Sequence, residues 1–270
     1  MEIRDWAMRV FTADCMSEKL LAPEGGFGAL TDREPGKPIP WKSPSRPSGL
    51  QISPKGKRKK FPRPHSLHQP EMRMRCLHTF GNHELMALEM MAWALLAFPE
   101  APASFRRGLA KILLDEQEHF QLYVNRIQGL GFQFGDLPIN DHFWRVAEDI
   151  RNPLDWVCTM HLSFEQANLD HAPYYRDLFA EVEDPESSAL MQQIFVDEIR
   201  HVQFGGYWLD QLAPDGQSTF QTFMEHLPPL QTPSRARGPN FQAEARKTAG
   251  LSDDFVEAIR NWNPSDKNPS

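Results

Sequence analysis

Apolar residues recur every three or four positions through four long stretches of the chain. In two of them the rhythm is broken at the same place by a glutamate and a histidine. One stripe reads Leu109, Ile112, Glu116, His119, Tyr123, and the other Leu190, Ile194, Glu198, His201, Gly205, Trp208. Steps of three and four mark the core-facing side of an amphipathic helix.

The periodic stretches predict four helices, A to D. Helix A runs from about Glu71 to Phe98 and stops at Pro99; helix B starts near Pro102 and Ser104 and ends at the Gly129-Leu-Gly131 turn. Helix C starts near Pro153 and ends before Glu183-Asp184-Pro185, and helix D runs from about Glu186 to Leu212. A with B and C with D form antiparallel hairpins, and residues 132–152 are long enough to cross from one end of a bundle to the other. The expected fold is all-α: an antiparallel four-helix bundle over 71–213 with a long crossover between B and C, the topology of ferritin-like bundles. Residues 3–21 predict an N-terminal helix, followed from about Gly25 to Pro70 by an arm whose many prolines deny it a regular helix or central strand. Residues 1–70 are thus expected to pack on the bundle. Residues 214–270 form an extension with short helices at 220–226 and 253–262.

Glu116/His119 and Glu198/His201 are each a Glu-x-x-His, so both side chains of a pair share a helical face. A carboxylate and an imidazole in a core-facing stripe are costly unless they are paired or bind a metal. The alternative, two such pairs on solvated faces by chance, requires two matched spacings and two apolar stripes to coincide. Helix A offers Glu84 and helix C Glu165, 32 and 33 residues before Glu116 and Glu198. At ~1.5 Å rise per residue those separations return a hairpin to the same height. Glu89 is the competing ligand on helix A, read as an ion-pair residue; Glu118 is read as exposed or as supporting the ligands. Four carboxylates and two imidazoles without a thiolate suit two iron ions first, with manganese or a mixed pair as alternatives. Asp115 and Asp197, each preceding a ligand glutamate, are expected to fix the histidine on the opposite helix, Asp115 with His201 and Asp197 with His119. His83, His161 and His171 are read as structural, and Tyr123 as a packing residue.

This pattern resembles the ferritin-like di-iron carboxylate proteins, which carry Glu on the first and third helices and Glu-x-x-His on the second and fourth; the spacing is similar to that of bacterioferritin. His83-Glu-Leu-Met-Ala-Leu-Glu89, Trp93-Ala-Leu-Leu-Ala-Phe-Pro99, Phe105-Arg-Arg-Gly-Leu109 and Asp115-Glu-x-x-His119 resemble more closely domain-of-unknown-function family 455, as does Asp5-Trp6-Ala7. The tRNA-modifying hydroxylase of the same superfamily is a more distant analogue, and a shared fold does not carry a substrate.

The 270 residues, 40% hydrophobic and 24% charged with net charge −7, describe an ordinary soluble chain. Cys15, Cys76 and Cys158 make neither a CxxC pair nor an even set, and no apolar run reaches membrane length, so a cytoplasmic protein without a membrane partner is expected. The basic run Lys55-Gly-Lys-Arg-Lys-Lys60, extended by Arg63, is read as solvated, with nucleic acid as the competing partner. The first functional expectation is an oxygen-activating oxidase or hydroxylase, taking molecular oxygen, an external electron donor and a small-molecule or RNA-borne substrate, as a monomer or small homo-oligomer. Iron oxidation or storage, peroxide detoxification and a non-catalytic metal-binding scaffold are the alternatives.

Overall fold

Helices supply all the regular secondary structure that the computed structural model describes, over residues 1–50, 52 and 60–263; the body of the basic run, residues 55–59, lies outside the described residues. Among the described residues, extended contacts are confined to isolated bridges, Glu2 with Thr31 and Ile52 with Ile139. None of the described helices is long and apolar enough to cross a membrane. The chain divides after Arg145 into two compact units.

In the first unit, α1 (Ile3–Thr12) buries Ile3, Trp6, Ala7, Val10 and Phe11 against α3 (Pro70–Ala97). The predicted N-terminal helix is two pieces, because the chain turns extended at Ala13 before α2 (Met16–Lys19). α3 and α4 (Ala103–Gly129) form the expected hairpin, and Arg106 reaches back to donate to the Leu95 carbonyl (2.7 Å), one of the carbonyls that the end of a helix leaves without an intrahelical partner. The described residues of the proline-rich arm carry only single 3-10 turns, as the composition predicts, yet the arm is fastened by buried charge. Arg106 pairs with Asp32 (2.8 Å), and Arg46 forks onto Glu89, which also faces Lys19 at 3.4 Å. Within the predicted crossover a short helix, α5 (His142–Ala147), was not anticipated; six residues are too few for a period to register.

The second unit begins with α6 (Pro153–Thr159), capped by Asn152, whose side chain accepts from the Leu154 and Asp155 amides (both 2.9 Å). Helix C was expected to run unbroken, but a π-helical turn over Met160–Glu165 separates α6 from α7 (Gln166–Glu181). Where the ladder changes spacing, Ser163 Oγ donates to the Cys158 carbonyl (2.8 Å). Glu183 turns left-handed (φ 55°) and Asp184 caps α8 (Pro185–Leu212), accepting from the Ser187 amide at 3.0 Å. Beyond it come α9 (Thr219–Glu225), α10 (Ala243–Thr248) and α11 (Asp253–Asn261); α9 and α11 match the two predicted short helices. α10 was missed because it carries no apolar stripe: its anchor is Arg246, fully buried on Asp170 of α7 (2.7 Å) and lying over the Phe241 ring. Cys76 and Cys158 are buried thiols, one in each unit, and Cys15 is half-buried.

Candidate metal centre

Each unit holds one triad of the predicted ligands. In the first, α3 supplies Glu84 and α4 supplies Glu116 and His119. His119 Nδ1 lies 3.8 Å from Glu84 Oε2 and 3.9 Å from Glu116 Oε2, and all three side chains are buried. One donor atom from each residue falls within 4.8 Å of the other two, as ligands of a single cation would. Burial acts to raise the Glu84 carboxyl pKa, but the hydrogen bond and charge of His119, helped by Glu116 and His83, outweigh it, and the net shift is downward. Two buried carboxylates this close need a shared proton or a cation between them, and the hard oxygen and borderline nitrogen donors suit a first-row divalent ion.

In the second unit, Glu165 closes the π turn while Glu198 and His201 come from α8. His201 Nδ1 is 3.9 Å from Glu165 Oε1 and 3.6 Å from Glu198 Oε2, and these residues too are buried. Two further residues of this unit hold the carboxylates. Asn168 Nδ2 donates to Glu198 Oε1 (2.7 Å), and His161 Nδ1 lies 2.5 Å from Glu165 Oε2. Trp156 Nε1 in turn donates to His161 Nε2 (3.2 Å).

Asp115 and Asp197 are buried beside the candidate ligands Glu116 and Glu198 and make polar contacts along their own helices. Asp115 accepts from Lys111 (2.8 Å), while Asp197 accepts from Gln193 (2.7 Å) and from Arg200. Glu89 is the ion-pair residue that the spacing suggested: Arg46, Lys19 and the Trp144 indole N–H occupy it. Glu118 is exposed. Tyr123 is buried with its ring 6.2 Å from Phe80, and His83 stacks on Phe143 at 5.1 Å. His171 is half-buried, and burial lowers its pKa.

Sequence reasoning read His161 as structural, without its contact to Glu165, and passed over Asn168. The available signal was position, since they stand four residues before and three after Glu165 on the same side of a helical stretch.

The chain is similar to an uncharacterized protein of Haemophilus influenzae (strain ATCC 51907 / DSM 11121 / KW20 / Rd), with 25% identity over 160 residues. That alignment covers 56% of each protein, so the chain spans little more than half of this relative's length. No solved structure matches the chain significantly. The family described as "Protein of unknown function (DUF455)" matches residues 7–257, a stretch that takes in both triads and nearly all the described helices, and the chain belongs to that family.

Proposed function

We propose that the two triads are halves of one dinuclear centre, and that the chain is a ferritin-like di-iron carboxylate protein acting as an oxygen-activating oxidoreductase. The observation that carries this reading is the repetition: Glu, Glu and His converge in the interior of each unit, with the imidazole Nδ1 under 4 Å from both carboxylates. Isolated structural ion pairs have no reason to recur with the same three residue types at the same helical spacing.

In this reading Glu84, Glu116 and His119 serve one metal and Glu165, Glu198 and His201 the other. Four carboxylates neutralise two divalent ions in a dry interior, which lowers the cost of burying either charge alone. Apolar residues one turn away on each stripe, Ile112 and Ile194 among them, exclude water from the ligands. Asp115 and Asp197 would hold the histidine tautomers as proposed from the sequence. Two ferrous ions held there would supply the pair of electrons that oxygen reduction needs, with replenishment from an external donor. The proline-rich arm and the C-terminal helices are the natural places for a substrate pocket, and a cytosolic setting fits the reduced thiols and the iron.

The test is metal content per chain, with oxygen uptake after anaerobic reduction, for the wild type and for Glu116→Ala/Glu198→Ala. About two irons per chain in the wild type, lost in the variant and accompanied by oxygen uptake, is the expected outcome. Negligible metal in both proteins after reconstitution would sink the reading. Iron uptake by a self-assembled cage would replace the oxidoreductase with an iron-handling role.

A further inference from the structure

We infer that His161 and Asn168 are positioning residues that fix the orientation of the Glu165 and Glu198 carboxylates towards a bound metal. This rests on the reading of Glu165, Glu198 and His201 as metal ligands, and its argument is one of proton placement. An indole N–H can only donate, so the Trp156 contact requires His161 Nε2 to be a bare acceptor. The imidazole proton therefore sits on Nδ1, and the 2.5 Å contact is Nδ1–H donating to Glu165 Oε2. Oε1 of the same carboxylate faces His201 Nδ1 at 3.9 Å. Glu198 repeats the arrangement with a different donor. The Asn168 amide takes Oε1 at 2.7 Å, and Oε2 faces the same His201 nitrogen at 3.6 Å.

The backbone is shaped around the relay. Trp156 stands in α6 and His161 in the π turn that follows it, so the relay runs across the junction of the two helical forms. α8 passes so close that a Cβ on Gly205 would stand 2.6 Å from His161 Cβ, and the Phe204 ring meets the imidazole edge-on at 4.9 Å. His161 itself is wholly buried. A carboxylate held in this way keeps its plane and its distance from His201 instead of sampling other rotamers.

The experiment is a Co(II) titration of the full-length protein, followed by ligand-field absorption, for the wild type, His161→Phe, His161→Gln, Trp156→Phe and Asn168→Ala. The wild type should take up about two Co(II) per chain. His161→Phe should weaken one equivalent by about 10–100-fold and change its visible band while the other equivalent titrates normally. His161→Gln, which keeps a donor, should recover most of that loss, and Asn168→Ala should weaken the same equivalent. Packing alone would not move the Co(II) band. Should His161→Phe fail to fold, Trp156→Phe, which releases the tautomer without opening a large void, and Asn168→Ala carry the test. Wild-type affinities and superimposable spectra in the folded variants would overturn the inference and leave the dinuclear reading standing; no Co(II) uptake by the wild type would overturn both.

Discussion

Gly205 is one of the tightest points in the second unit, because His161 Cβ occupies the space its own side chain would need. Both neighbours belong to packed helices, so neither gives way cheaply, and overfilling such a site costs about 1–3 kcal/mol. Gly205→Ala should lower the urea midpoint by that measure, whereas Gly216→Ala, with open space around it, should cost little beyond its positive φ of 79°. A second residue-scale effect concerns His78 in the first unit, which accepts from the Gly135 amide (3.1 Å) and stacks on Phe134. Burial lowers its pKa from 6.5 to about 4, against the opposing pull of Asp136. The folded state thus holds this ring neutral where the unfolded chain would protonate it. Its contribution is complete above about pH 6.5 and drains away as pH falls towards 4, amounting to at most about 3 kcal/mol. Denaturation of the wild type and His78→Gln across that window should show a shallower slope in the variant, the remainder belonging to other groups such as His171.

At the scale of elements, buried charges tie down what composition left loose. Asp170 accepts from Arg246 and from the Gly238 and Gln242 amides, binding α10 and the turn before it to α7. Asp170→Ala strands a buried guanidinium and should cost about 3–5 kcal/mol. Amide hydrogen exchange should then rise in residues 236–248 well before it rises in α8. The long helices were legible because length and periodicity reinforce each other, and their ends were marked by Pro99, Pro153 and Pro185. The π turn was not legible, since one extra residue leaves a three-to-four rhythm almost unchanged. The candidate glutamates and histidines stood out as polar residues in apolar stripes, but Asn168 lies half-exposed at the margin of its stripe and nothing in composition singles it out.

For the molecule as a whole, a metal bound only by the folded form adds to stability by mass action, about 2.7 kcal/mol at a hundredfold excess over its Kd. Added Mn(II) or Fe(II) under anaerobic conditions should raise the melting temperature, a chelator should reverse the gain, and Glu116→Ala/Glu198→Ala should abolish the response. The three cysteines divide in a way that serves such work. Burial holds the Cys76 and Cys158 thiols protonated, while Cys15 sits at the N-cap of α2 with part of its surface open. A maleimide therefore has one fast target on the native protein. A nitroxide attached there would be a single-site paramagnetic reporter, installed without mutation, whose relaxation registers the arrival of Mn(II) in solution.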